Sequence, residues 1–316
     1  MPSVGALHVQ PAPLAPRVAS RELRPAPSAP ANTLRVALAV ESIGYLVPRI
    51  EFIGRVHSAF AQACNLVCDD ELLTIAASAI GDGPTTLRLA RRAPTDLREL
   101  FDVGERIDCR QGVVRTRRAQ LRLLQARVWC PAEPGPSLGR ARIEAHLRNA
   151  QTCLAQRRGS APSVIDGAAA ALGAACRALD RERAVRHVDH LVGWGEGLTP
   201  AGDDFLVGLL AGLDALLDGV EACRQFRSAL AAAVAARTSR TTPVAAHYLR
   251  LAGARHYSAL LVDLRAALLC EDDPDVVEVA LAATLAIGAT SGADTVAGLL
   301  AGLNAWLPAR SALAAA

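Results

Sequence analysis

Residues 193–213 read GWGEGLTPAGDDFLVGLLAGL, and this stretch decides how the second half of the chain folds. Gly193, Gly195, Gly197 and Gly202 leave its first part as backbone almost free of side chains. Apolar residues then follow at helical spacing. Thr199 as N-cap and Pro200 at the first helical position would start that helix, with Asp203 and Asp204 in its first turn. There, negative charge complements the helix dipole, an effect of about 0.3–1 kcal/mol. The glycines ask for more, because bare backbone ahead of a helix N-terminus is a ready anion cradle. Two carboxylates would repel that anion. Either a hard cation such as Mg²⁺ bridges carboxylate and anion, or the aspartates accept hydrogen bonds from a ligand's N–H groups while backbone amides and arginines hold its anionic end. Gly195, Glu196, Gly197, Thr199, Gly202, Asp203 and Asp204 are the ligand-binding candidates on this stretch.

Ninety residues on, the pattern returns. GDDFLVGLLAGL (202–213) aligns with GADTVAGLLAGL (292–303), matching Gly202 to Gly292 and Asp204 to Asp294, with GLLAGL identical in both. Asp204, Gly208 and Gly212 fall near one helix face, and so do Asp294, Gly298 and Gly302. Small residues at that spacing let helices approach closely. A parallel packing of the two glycine faces would bring both aspartates to the mouth of one pocket; an antiparallel one would part them by roughly 15–20 Å. Asp294 therefore joins the candidates.

Outward from this repeat, residues 137–316 carry helical spacing or alanine-leucine propensity throughout, as in RARIEAHLRNAQTCLAQRR (140–158) and SVIDGAAAALGAACRALDRERAVRHVDHLVG (163–193). Residues 34–136 differ. ELLTIAAS, TTLRLA and RIDCRQGVVRT are short, alternating or β-branched, and separated by turn residues. APTDLRELF reads as a short helix capped by Thr95, and PAEPGPSLG (131–139) as a linker. The fold class is α+β, an N-terminal mainly β domain (34–136) followed by an α-helical domain (137–316). Residues 1–33, rich in proline, read as a disordered extension.

The composition narrows the function. All 34 basic residues are arginine, so a Walker lysine, a pyridoxal-phosphate Schiff base and a lysine nucleophile are excluded. Five Phe, three Tyr and three Trp are too few to build base-stacking platforms, and a net charge of +3 is too small to attract a polyanion, so no nucleic-acid partner is expected. The apolar runs are broken by Asp214, Asp218 or Asn304, which argues against a membrane span. Eight scattered cysteines without zinc spacing point to reduced thiols and a cytoplasmic location.

The stretch 193–213, followed by SRTTPVAAHYLRLAGARHYS (239–258), resembles the AllH-like subunit family of the catabolic oxamate carbamoyltransferase complex. The likeness is strongest over 187–303; FIGRVHSAFAQACNL and ARVWCP fit it more loosely. It implies a role in carbamoyl transfer between oxalurate, phosphate and oxamate, beside other subunits. Such substrates join an anionic end to an amide or carbamoyl N–H end, which suits an amide-lined loop with aspartates. Further candidates are Arg240 and Thr241, in a polar loop where arginine could clamp an anion, and His247, either an acid-base group or a satisfied structural histidine. No residue is assigned a firm catalytic or metal role; Asp203, Asp204 and His247 are the catalytic candidates, and the two aspartates the possible Mg²⁺ ligands. The alternatives to a carbamoyl-transfer subunit are a non-catalytic binding or regulatory subunit and a structural scaffold.

Overall fold

The computed structural model describes residues 35–69, 71–91, 96–159, 165–217 and 220–313. The extension expected over 1–33 and the cap expected at Thr95 lie outside them. The described part is α+β, a β-sheet followed by helices.

The strands are β1 (Val36–Leu38), β2 (Val40–Gly44), β3 (Phe52–Ala59), β4 (Ala63–Cys68), β5 (Glu71–Ala76), β6 (Thr86–Leu89), β7 (Arg106–Arg110), β8 (Val113–Arg115), β9 (Ala119–Arg122) and β10 (Arg127–Trp129). They form one sheet in the order β1-β9-β8-β7-β3-β4-β5-β6-β2-β10. Only Ala39 separates β1 from β2, yet β1 pairs with β9 and β2 with β6 and β10. The sheet therefore curls until both of its ends meet on one short segment. Ile43, Leu66, Ile75, Leu87, Ile107 and Leu121 fill the inside, each fully buried. β7 and β8 turn through Gln111 and Gly112, both at positive φ, as a two-residue hairpin requires. APTDLRELF shortens to a single 3-10 turn, Leu97–Glu99, capped by Asp96.

The helices are α1 (Arg140–Arg158), α2 (Asp166–Ala178), α3 (Arg181–Leu191), α4 (Ala201–Asp214), α5 (Glu221–Ala235), α6 (Pro243–Gly253), α7 (Ala259–Cys270), α8 (Pro274–Leu285) and α9 (Ser291–Leu313). The helical run expected over 163–193 divides in two. Leu179 takes the left-handed conformation, and Asp180 caps α3 by accepting from the Arg183 N–H at 2.9 Å. Among the described residues, no helix is long and apolar enough to cross a membrane.

α4 and α9 form the centre of the helical layer and run parallel. A Cβ on Gly208 would stand 1.9 Å from the Thr295 carbonyl oxygen, and one on Gly298 would stand 1.9 Å from that of Phe205. Further along, Gly212 faces Leu299 and Leu303 while Gly302 faces Leu209 and Leu213. Contacts advance together on both helices, so the repeat packs on itself as a pseudo-twofold pair. No side chain fits at these positions, which is why they are glycine. At the far end of α4, buried Arg227 of α5 bonds Asp214 at 2.7 Å and the Ala252 and Gly253 carbonyls, each also at 2.7 Å, tying α4, α5 and the C-terminus of α6 together. α6 in turn lies against β5, and this contact brings the sheet to the helical layer beside the glycine loop.

Candidate functional site

The loop between α3 and α4 is held open from three sides. Gly193 has φ +74°, and a Cβ there would stand 2.4 Å from the Arg240 carbonyl. Its N–H donates to Asp203 Oδ1 at 3.0 Å, and the Thr241 hydroxyl donates to the other Asp203 oxygen. Thr242 caps α6 by accepting from the Ala245 N–H at 3.1 Å, and its hydroxyl donates to the Leu198 carbonyl. The segment 240–242 is thus a clamp on the glycine loop. Asp203, 1% exposed, uses both carboxylate oxygens in that clamp.

Between the clamped ends, Gly195, Glu196 and Gly197 are exposed, with φ +118° at Gly195 and +88° at Gly197. Among the described residues, no protein acceptor takes the backbone N–H groups from Gly195 to Thr199. Consecutive free amides in glycine-shaped backbone form an anion-binding concavity. The helix start itself contributes less than expected. The N-cap position falls on Pro200 rather than Thr199, and the Gly202 N–H already donates to the Trp194 carbonyl at 2.9 Å. The Thr199 hydroxyl instead meets that of Ser291 at 2.9 Å, joining the starts of α4 and α9.

Asp204 stands beside that pair. The Ser291 and Thr199 hydroxyls favour its ionised form, but burial outweighs them, and with the charges of Asp294 and Asp203 it pushes the carboxyl up to about 7. Its Oδ2 is buried without a hydrogen-bond partner. An orphaned carboxylate oxygen costs stability in the free protein, so its retention points to a group from outside.

The other candidates are placed differently. Asp294, 4% exposed, comes to the same end of the seam as Asp204, but its carboxylate is bound by Arg158 of α1 at 2.7 Å. The two aspartates share a helix end and not a partner. Arg240 is occupied too, paired with Asp189 at 3.1 Å alongside Arg237. His247, 1% exposed, receives the Leu72 N–H at Nδ1 (3.4 Å) and meets the Thr85 hydroxyl through Nε2 (3.0 Å). Burial lowers its pKa to about 4, so the ring is neutral and Glu71, 3.3 Å from Nδ1, is a neighbour rather than an ion-pair partner. Its geometry is that of a pin between α6 and the sheet. Asp203 spends one hydrogen bond on each of its oxygens, with Gly193 and with Thr241, while Asp204 keeps one buried oxygen without a partner. Among the described residues, no three His, Cys, Asp or Glu side chains are grouped to hold a metal.

Two residues at this site escaped the sequence reading. Ser291 reaches Thr199 only because the helices run parallel. Tyr248 packs its ring against that of His247, centroids 5.7 Å apart, and burial foremost, with the charge of Asp204 after it, raises its pKa.

A curled sheet carrying a helical layer, with a repeated glycine seam and an amide-lined loop at one end of it, is a specific combination. The family model described as oxamate carbamoyltransferase subunit AllH matches residues 191–303, the loop and both seam helices, and that of the AllH family N-terminal domain matches residues 36–128, the sheet. The chain belongs to the AllH family. That description names a subunit, one component of a larger enzyme. No solved structure matches the chain.

Proposed function

We propose that this chain is a cytoplasmic subunit of a carbamoyl-transfer enzyme and that the loop 193–199, with Asp204, binds a small anion of the oxalurate, oxamate or carbamoyl phosphate type. The observation that carries this reading is the buried, unpartnered Oδ2 of Asp204 beside a row of free backbone amides. The amides suit a carboxylate or phosphate end, and the lone carboxylate oxygen suits an N–H end. Asp203, Thr241 and Thr242 hold the loop in shape before ligand arrives, which lowers the ordering cost of binding. Arg240 supports them through Asp189, and other subunits complete the enzyme.

The test is ligand-induced stabilisation of the full chain by oxamate, oxalurate and carbamoyl phosphate, each with and without Mg²⁺. Wild type is expected to gain thermal stability with at least one of them, and Asp204→Asn to lose that gain while melting cooperatively. Silence of wild type towards all three would leave the loop as a packing device. Carbamoyl-transfer assays with and without partner subunits separate a catalytic subunit from a binding one.

A further inference from the structure

The C-terminal half of α6 forms one wall of a cleft of about 1060 Å³, and the sheet forms the other. Its volume lies at the upper end of the range for small-molecule sites. No residue of 193–204 lines it; the glycine loop is clamped at the opposite end of the same helix. The way α6 ends sets one side chain into this cleft. The His256 N–H donates to the Leu251 carbonyl at 2.8 Å and the Arg255 N–H to that of Ala252 at 3.1 Å, the two bonds of a Schellman ending. Its left-handed position falls on Arg255, at φ +65°, where glycine is the usual residue. Tyr257, which follows, is buried and bonded to Asp214 and to the Ala252 carbonyl. His256 is therefore fixed from both sides. Tyr45 Oη meets its Nδ1 at 2.8 Å, and the two rings stand edge to face with centroids 5.5 Å apart. His256 lines the cleft and Tyr45 does not, so the bonded nitrogen turns away and Nε2 is left to face the cleft.

Charge and surface select the occupant. Four carboxylates line the cleft against two guanidiniums. Asp108 is paired with Arg110 at 3.1 Å, whereas Glu51, Asp69 and Glu71 form no ion pair with an arginine among the described residues. Leu46 and Ile53, both exposed, and Phe52 and Leu251 add apolar surface. An anion would meet like charge there, and a cation opposite charge. With its proton on Nδ1, donated to Tyr45, the His256 ring offers a lone pair at Nε2 to an N–H donor. We propose that the cleft binds an aliphatic primary amine, its ammonium drawn by the Glu51, Asp69 and Glu71 carboxylates and bonded by His256 Nε2, with Tyr45 as the positioning residue that holds the ring. This site is separate from the glycine loop and does not depend on what the loop binds.

Hexylamine and hexanoate share a chain and differ in the sign of the end group, and calorimetric titration of the full chain with each tests the site. Wild type is expected to bind hexylamine and not hexanoate. His256→Ala is expected to weaken hexylamine binding about tenfold, one charge-assisted hydrogen bond's worth. Glu51→Gln, an exposed position, removes one charge without touching the ring and is expected to weaken it several-fold. Tyr45→Phe keeps the ring packing and removes the hydroxyl. It is expected to weaken hexylamine several-fold and, in nitrogen NMR of the histidines, to move His256 from a single tautomer to a mixture, a change that lost packing alone would not make. Hexanoate binding as tightly as hexylamine overturns the proposal, and so does hexylamine affinity unchanged in both His256→Ala and Glu51→Gln, or a wild type that takes up neither compound.

Discussion

Gly208 and Gly298 meet the opposite helix in the same way, each with a carbonyl oxygen 1.9 Å from where a Cβ would stand, yet four residues upstream Asp204 and Asp294 have unlike surroundings. Asp294 is neutralised by Arg158, which also reaches Asp166 at 3.2 Å. Asp204 has two hydroxyls, a buried oxygen without a partner, and an open loop in front of it. One copy of the motif has been completed by the protein. The other has been left incomplete, and where a buried polar group lacks its partner is where a ligand is expected. The repeat thus contains its own control.

The comparison breaks first at the seam. Gly208→Ala and Gly298→Ala should each destabilise by more than about 3 kcal/mol, since backbone must move in both cases, and by similar amounts in denaturant titrations. A mild effect, under about 1 kcal/mol, from either one would end the pseudo-twofold description. Next in size is Arg158→Met, which leaves Asp294 buried and uncompensated. A stability loss of about 2–4 kcal/mol is expected, with oxamate affinity within about twofold of wild type; a collapse of affinity would make Asp294 part of the ligand site.

Asp204→Asn should do the opposite in the free protein. Burial holds the folded-state carboxyl near 7, above its usual 3.8, so folding favours the neutral form. Wild-type stability therefore falls through this group as pH rises from about 4 to about 7, and the amide does not share that fall. Asp203 and Asp294, also raised by burial, titrate in both proteins. Melting temperatures should diverge in favour of Asp204→Asn as pH rises from about 4 to about 7, by the equivalent of about 2–4 kcal/mol at the upper end. Equal pH profiles would show that Asp204 is not the strained member of the pair. The smallest effect belongs to Gly197→Ala. Its Cβ would meet nothing within 4 Å, but its φ of +88° disfavours any side chain. About 1 kcal/mol of stability and a few-fold loss of oxamate affinity are expected, both readable by calorimetry.

The seam was legible because it is periodic and repeated: glycine at every fourth position carries its own geometry, and the ninety-residue offset shows that the device is used twice. The α+β order was legible from the change of hydrophobic period. The strand β4, ACNLVC, was not, since two cysteines and an asparagine hide its alternation, and that asparagine accepts the Thr74 hydroxyl of β5. The break at Leu179 was hidden by alanine-rich sequence on both sides, with Asp180 the one mark of a new helix start. At the site, the loop could be read and the division of labour within it could not. Asp203 and Asp204 are adjacent and chemically identical; what separates them is a hydroxyl thirty-eight residues away at Thr241 and another on α9, partners that only the fold supplies.

The sheet that curls onto a single segment also sets an order of assembly. Residues 36–44 leave the ribosome before any of their partners, and the strands that lock them, β9 and β10, end at Trp129. The hairpins from β3 to β5 and from β7 to β9 can form from neighbours in the chain, but the first segment must wait for the last. Pairings of such long sequence separation are slow, and an unpaired strand is exposed to the wrong partner meanwhile. Closure of the sheet is therefore the late step in its folding, and a nascent chain stopped just before β9 would hold most of its hairpins and none of its closure.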